Sequence, residues 1–131
     1  QNLPKGVDRD GLKQIMDNQG FRGLYDFLYL PLKFITNSSF GYGFVNLVDK
    51  KATKQCWNAL QGLAQDDTVI TVSADTTHKG LGAHIKLYKN SPIMHVNVPD
   101  MFKPALYNRE GNRISFPPPT KTLKLPRPLV S

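Results

Sequence analysis

Cysteine is nearly absent from this chain of 131 residues, in which Cys56 is the only one. A lone cysteine excludes an intrachain disulfide, and a metal site would need other ligands. A single thiol also fits a reducing, intracellular setting, so we expect the protein in the nucleus, the cytoplasm or both. Long apolar runs are missing too. No stretch approaches the roughly 18 consecutive apolar residues that indicate a transmembrane helix. We therefore expect no membrane partner.

Acidic residues are scarce relative to basic ones. Ten Asp and Glu stand against seventeen Lys and Arg, which gives a formal net charge of +7. Such an excess favours a polyanionic partner, usually nucleic acid, although it is also compatible with simple solubility.

Apolar periodicity predicts six elements in the first 90 residues. Stripes at i, i+3 and i+4 indicate helices, and alternation indicates strands. The predicted elements are, in order, helix 8–19, strand 24–34, strand 39–47, helix 50–61, strand 68–74 and helix 81–89. With a strand placed before the first helix, this order becomes β-α-β-β-α-β, an α+β ferredoxin-like sandwich with an extra C-terminal helix.

The two ends of the sequence differ from the middle. Leu3 is predicted to end the first strand, which is central in this fold, so we expect most of that strand to precede Gln1 in a longer chain. After Ser91 prolines and basic residues are common and no period is visible. We therefore divide the chain into a domain at residues 1–90 and a basic, Pro-rich extension at residues 91–131. We predict that this extension is an extended tail with polyproline character.

The segment Phe40–Leu47, with the sequence FGYGFVNL, carries the strongest functional pattern. At its second to sixth positions it resembles the third-strand octamer of the RNA recognition motif, K/R-G-F/Y-G/A-F-V-x-F/Y. It departs from the octamer at the first position, where Phe40 replaces a basic residue, and at the last, where Leu47 replaces an aromatic one. Its place, after one helix and one strand and before a second helix, is the place that the octamer has in that motif.

Side chains alternate across a strand, so this segment is predicted to have two different faces. The face toward the helices carries Gly41, Gly43, Val45 and Leu47. The face on the uncovered side of the sheet carries Phe40, Tyr42, Phe44 and Asn46. Exposed rings there can stack on unpaired bases of single-stranded RNA, at about 1–3 kcal/mol per base. The alternative is that the rings pack under the C-terminal helix as ordinary core.

The preceding predicted strand contributes further aromatic residues. Parity places Tyr25, Phe27 and Tyr29 on one face, because the leucines of the strand take the core side. We predict that Phe27 and Tyr29 widen the RNA-binding surface, with ordinary edge aromatics as the alternative. Pro31 is expected to end the pairing of this strand or to sit at an edge, and Lys33 just beyond it is predicted to meet a phosphate, unless it is merely solvated.

A longer run of sequence resembles one particular family. The block Tyr25–Pro31, YDFLYLP, followed by Gly41–Asn46, GYGFVN, resembles the C-terminal RNA recognition motif of the Mei-two-like family of meiosis-regulator RNA-binding proteins. The opening QNLPKG, with Lys5 in place of the family's Asn, and the segment Lys89–Met94 resemble it as well. The resemblance implies single-stranded RNA binding, regulation of RNA fate during differentiation, and stacking roles for Tyr42 and Phe44.

Two other functions are compatible with the sequence. In the first, the helix at residues 81–89 covers Tyr42 and Phe44, and the tail segment FPPPTKTLKLPRP is a ligand for an SH3-like or WW-like protein partner. In the second, the sandwich is an enzyme. The three histidines, His78, His84 and His95, and the pair Asp66–Asp67 show no spacing typical of a catalytic or metal site. We therefore predict no catalysis, no cofactor and no small-molecule substrate.

Overall fold

The computed structural model describes residues 1–4, 6–74 and 80–126. Lys5 of the opening motif and His78 of the enzyme alternative lie outside the described residues. The helices are α1 (Arg9–Asn18), α2 (Lys50–Leu60) and α3 (Leu81–Tyr88), with 3₁₀ turns at Pro92–Met94 and Asp100–Phe102. The strands are β1 (Tyr25–Tyr29), β2 (Phe44–Leu47), β3 (Ala64–Gln65), β4 (Thr68–Val69), β5 (Ala105–Tyr107) and β6 (Arg113–Ile114). None of the described helices is both long enough and apolar enough to cross a membrane.

Helices α1 and α2 begin at side-chain caps, as the sequence predicts. The carboxylate of Asp8 accepts a hydrogen bond from the Gly11 backbone N–H at 2.8 Å. Asp49 does the same for Ala52 at 2.7 Å. These bonds satisfy backbone donors that have no partner within the first helical turn. Both helices then bury one apolar stripe, which consists of Leu12, Ile15 and Met16 in α1 and of Ala52, Cys56 and Leu60 in α2.

The two stripes meet on one face of an antiparallel sheet with the strand order β2-β1-β5-β6. Leu28 and Leu30 of the β1 segment point into this core, where neither side chain is exposed. The Cys56 thiol lies 3.9 Å from the Met16 sulfur, so α2 and α1 touch above the sheet. The predicted α+β ferredoxin-like sandwich is thus confirmed by the arrangement of helices and sheet.

The prediction that Tyr25 shares a sheet face with Phe27 and Tyr29 is wrong, because β1 contains a bulge. In the pairing with β2, Tyr25 lies opposite Leu47 and Phe27 opposite Asn46, so Asp26 is one residue too many. An extra residue turns the strand by one side-chain position. Tyr25 therefore faces α1, where its hydroxyl donates to the Asp17 carboxylate at 2.6 Å. Burial, followed by this carboxylate, raises the pKa of Tyr25.

The extension differs most from its prediction. Residues beyond 90 were predicted to form an extended tail, but Ala105–Tyr107 is strand β5, which pairs with β1 through Leu106 opposite Phe27. Val98 and Phe102 are buried in the core as well. The structural unit therefore continues past the predicted boundary at residue 90. Residues 115–126 form one continuous stretch without helix or strand.

The predicted strand at residues 68–74 is also shorter than expected. Only Thr68–Val69 is a strand, and it pairs with Ala64–Gln65 in a separate hairpin. The two neighbouring apolar side chains differ in exposure, since Ile70 is buried and Val69 is 53% exposed.

A buried arginine fastens the extension to α1. Arg9 donates through Nη1 to the backbone oxygens of Asp100 and Lys103, both at 2.8 Å, and through Nη2 to the Asp100 carboxylate at 2.7 Å. Arg113 binds the same carboxylate with two further hydrogen bonds, at 2.8 and 3.0 Å. Hydrogen bonds from Arg113, and then from Arg9, hold the pKa of Asp100 well below its usual range. This cluster keeps the Asp100–Phe102 turn, and hence Phe102, against the core.

We predict that Asp100→Asn lowers the free energy of unfolding at neutral pH by about 1 kcal/mol, since the Asp100 side chain is 60% exposed and solvent screens the pair. A depressed pKa contributes stability above the unfolded-state value of about 3.9 and loses it as the pH falls further. The difference between wild type and variant should therefore shrink below about pH 4. Urea unfolding followed by circular dichroism at neutral and acidic pH measures this.

The control is Glu110→Gln, which removes an exposed carboxylate outside the arginine cluster. It should leave the stability at neutral pH nearly unchanged. A wild-type advantage over Asp100→Asn that stays constant on acidification would contradict the assigned role of the carboxylate.

Candidate nucleic-acid interface

The predicted strand at residues 39–47 is shorter in the structure, because β2 begins at Phe44 and Gly41 has a φ of +88°. A Cβ atom at Gly43 would lie 2.9 Å from the end of the Leu12 side chain of α1, so a larger residue at this position would have to push that side chain aside. Val45 and Leu47 are partly buried against the same core. The alternate residues of this segment, Tyr42 and Phe44, consequently lie on the side of the sheet away from α1 and α2.

Four rings form a continuous line on that side, which we call the aromatic row: Phe40, Tyr42, Phe44 and Tyr29. Neighbouring ring centroids along it are 6.3, 5.7 and 6.3 Å apart. Phe40 is 53% exposed and Tyr42 38%. Phe44 and Tyr29 are half-buried. Burial, followed by Tyr88 and Tyr42, raises the pKa of Tyr29 to about 12, so its hydroxyl stays protonated at neutral pH.

Helix α3 covers the other end of this sheet face. Phe27 has no exposed surface, because its ring stacks on His84 with centroids 4.6 Å apart and lies 5.8 Å from Tyr88. Tyr88 also meets Tyr29 edge to face at 4.9 Å. The prediction that Phe27 offers its ring to RNA does not hold in this structure, since the extra helix occupies the space above it. One alternative predicted an uncovered sheet face, and the other predicted a face covered by the C-terminal helix. The structure combines the two, because α3 covers Phe27 and leaves Tyr42 exposed.

Two other predicted contacts occupy different environments. Asn46 is half-buried, and its amide nitrogen donates to the Asp26 carboxylate at 2.7 Å and to the Leu47 carbonyl at 3.3 Å. It therefore ties β2 to the bulge of β1. Lys33 is exposed, with its ammonium nitrogen 5.6 Å from the centroid of the Phe40 ring. This places a positive charge at the end of the aromatic row.

An open depression of about 680 Å³ lies beside this end of the row. Its walls include Lys33, Phe40, Tyr42 and Val69. A positive charge next to exposed aromatic surface suits a nucleotide, which joins a flat base to a phosphate.

Among the described residues, those of the enzyme alternative have separate structural contacts. His84 stacks on Phe27, whereas His95 accepts a hydrogen bond from the Asn97 backbone at 3.0 Å. Burial raises the pKa of the Cys56 thiol to about 11, which keeps it an unreactive core group at neutral pH. Within the described ranges, no three His, Cys, Asp or Glu side chains come together in a way that could hold a metal ion.

The sequence indicated one part of this site and missed another. The helix at residues 81–89 was predicted, and Tyr88 lies at its C-terminal end. His84 was considered only as a possible catalytic residue, and its stacking on Phe27 was not predicted. Nothing in the sequence around His84 signals this contact, because the partner ring lies far away along the chain.

Comparison with known sequences defines the class of protein. The sequence model of the RNA recognition motif 2 family matches residues 1–85. The chain therefore belongs to this family and is an RNA-binding domain of the RNA recognition motif class.

The more particular resemblance to Mei-two-like proteins is also confirmed. Protein MEI2-like 3 of Arabidopsis thaliana is 32% identical over 98 residues, which cover 72% of this chain and 13% of that protein. Protein MEI2-like 3 of Oryza sativa subsp. japonica is 26% identical over 114 residues, covering 85% of this chain and 12% of the relative. Protein MEI2-like 1 of Arabidopsis thaliana is 28% identical, with the same coverages. The chain thus spans only about an eighth of the length of these relatives.

We predict that two matched substitutions on this sheet face affect different quantities, one the free energy of unfolding and the other the affinity for RNA. Phe27→Leu should lower the free energy of unfolding by about 1–2 kcal/mol, because a fully buried ring loses contacts, and should leave RNA affinity nearly unchanged. Phe44→Leu should weaken RNA binding by about 1–3 kcal/mol through loss of a base stack, with a smaller effect on stability. Urea unfolding and fluorescence anisotropy with a labelled oligouridine measure the two quantities. Equal losses of affinity in both variants would show that α3 leaves Phe27 when RNA binds.

Proposed function

We propose that this domain binds single-stranded RNA by stacking unpaired bases on the aromatic row. The observation that carries the proposal is the exposure of Phe40 and Tyr42 on a sheet face whose other end α3 has closed. Exposed rings at the centroid spacing of the row offer separate π-faces to successive bases. The match to the RNA recognition motif 2 family supports RNA as the ligand.

Stacking alone is too weak to explain useful affinity. Two stacked bases contribute roughly 2–6 kcal/mol, which corresponds to a Kd of about 40 μM or weaker. Phosphate contacts have to supply the remainder, and the formal charge of +7 makes them available. The Lys33 ammonium nitrogen lies 5.6 Å from the centroid of the Phe40 ring, and we assign it to a phosphate beside the first stacked base.

The biological role that we propose is regulation of RNA fate during differentiation, in the nucleus or the cytoplasm. It is supported by the similarity to the MEI2-like proteins, of which this chain covers only a part.

A second candidate function is a protein-interaction module. This function is supported by helix α3, which covers Phe27 and so closes part of the sheet face. The polar contacts between Asn90 and Thr120, at 2.8 and 2.9 Å, anchor the Pro-rich segment just after Pro117–Pro119. Pro118 and Pro119 are exposed there. An exposed polyproline stretch fits the aromatic groove of an SH3-like or WW-like partner. Absence of RNA binding at low salt, with binding of such a partner, would favour this function.

The test of the RNA-binding proposal is the double substitution Tyr42→Ala, Phe44→Ala. We expect the affinity for a short single-stranded oligouridine to fall by about 2–4 kcal/mol, because two stacking surfaces disappear. Fluorescence anisotropy gives the affinity, and circular dichroism checks that the fold persists. Val96→Ala, at an exposed apolar position outside the row, is the control and should have no effect. Unchanged binding by a folded double variant would rule out the aromatic row as the site.

The phosphate role of Lys33 has a separate test. Affinity should fall steeply between about 50 and 200 mM salt, and each lost contact to a single strand lowers the slope of log K against log salt by about 0.7. Lys33→Gln should show this decrease. Lys124→Gln, with the same change of charge in the tail, should not. Equal slopes in both variants would remove Lys33 from the interface.

A further inference from the structure

Helix α2 carries an aromatic and basic surface on its outer side that neither the core nor the aromatic row uses. Trp57 is the only tryptophan of the chain and is 37% exposed. It borders an open depression of about 460 Å³, lined by Lys50, Thr53, Lys54, Trp57 and Asn58. We call these five residues the lysine–tryptophan face. The inward stripe of α2 lies on other positions of the helix, so the face is not needed for packing.

The charges of this surface are uncompensated. Lys50, Lys51 and Lys54 are exposed, and within the described part of the chain their ammonium groups make no ion pair or hydrogen bond. Asp49 precedes them, but its carboxylate is engaged in capping the helix. Two of the lysines also stand in the first helical turn, where cations are unfavourable. A bound polyanion would relieve this repulsion.

The face has the chemistry of a single-stranded nucleic-acid contact. Lys54 precedes Trp57 by three residues, so the ammonium group and the indole lie on the same side of the helix. Lys50 is one further turn away, about 6 Å along the axis. An indole ring accepts a stacked base, and the two flanking ammonium groups can neutralise phosphates of the same strand.

The position of the face fits an extension of the sheet site. Asn46 is the last outward residue of β2, and Lys50 begins α2 only four residues later. The lysine–tryptophan face nevertheless lies across the helix layer from the aromatic row. A strand bound to both must pass around the end of β2 and must be longer than a strand that occupies the row alone.

We propose that the lysine–tryptophan face of α2 is a second contact site for single-stranded RNA, engaged by long strands that also occupy the aromatic row. The ligand class rests on the proposed function, whereas the location rests on independent residues. An acidic protein segment is the competing occupant for the same charges, but it does not account for the exposed indole beside two lysines as directly as a base and its phosphates do.

The experiment uses the fluorescence of Trp57, which reports on this face alone because the chain has no other tryptophan. Oligouridines of about 6 and about 20 nucleotides are titrated into the 131-residue chain and into its Tyr42→Ala, Phe44→Ala variant. The long oligouridine should change the Trp57 emission in both proteins. In the unaltered chain the short oligouridine should change this emission much less than the long one does. Persistence of the signal in the double variant would separate this site from the aromatic row.

Paired substitutions test the lysines. Lys50→Gln with Lys54→Gln should weaken binding of the long oligouridine about threefold to tenfold and lower its salt slope by about 1.4. Trp57→Ala should weaken it at least about fivefold. Lys121→Gln with Lys124→Gln, an equal change of charge in the tail, is the control. Identical behaviour of the two lysine pairs, or an emission change with polyglutamate but not with oligouridine, would overturn the proposal.

Discussion

The close approach of helix α1 to strand β2 is the constraint on which the rest of the molecule depends. A Cβ atom at position 43 would lie 2.9 Å from the end of the Leu12 side chain and 3.3 Å from the Tyr29 carbonyl oxygen, so glycine there lets α1 and the segment that leads into β2 share one core without displacing Leu12. A chain segment that commits one face to a helix presents its alternate residues to the other side. Phe44 of β2 and Tyr42 just before the strand lie on that other side, with their ring centroids 5.7 Å apart. The proposed RNA-binding surface and the core therefore depend on the same alternation of side chains, and a shift of register by one residue would disrupt both.

The outward face is closed at one end and open at the other, and the chain after residue 80 explains the difference. Helix α3 buries Phe27 completely, which removes a large apolar area from water and contributes stability that an exposed ring would forgo. Strand β5 then adds to the edge of β1, and the buried Arg9 holds the preceding turn in place. The proposed RNA binding by the open rings needs no rearrangement of α3 or β5. Stacking of a base on Phe27 would require α3 to leave the sheet, which costs the free energy of a local unfolding event.

Local pattern was sufficient for the elements and for the open rings, and insufficient wherever distant segments meet. Caps and stripes predict α1 and α2 because the information lies within one or two turns of helix. The bulge at Asp26 reverses the side of Tyr25, and nothing in the alternation of β1 signals it. The pairing of Leu106 with Phe27 joins residues that are almost eighty positions apart, so a Pro-rich segment with no period became a strand. For the same reason the sequence predicts Phe27 on the correct face and cannot indicate that His84 covers it.

The aromatic rings and the lysine charges lie on different surfaces of the domain, and their expected roles differ accordingly. The aromatic row carries the flat surfaces, with the Lys33 ammonium nitrogen 5.6 Å from the centroid of the Phe40 ring, whereas the lysine–tryptophan face of α2 carries two uncompensated lysines beside one indole. Stacking energy depends on contact and is insensitive to salt, but the attraction of lysines for phosphates falls with ionic strength over a Debye length of about 8 Å at physiological salt. We therefore expect two such surfaces on opposite layers to act on different strand lengths. In the proposed function the row would discriminate between paired and unpaired bases, because only unstacked bases reach its rings, and the charged helix would favour long strands of any sequence.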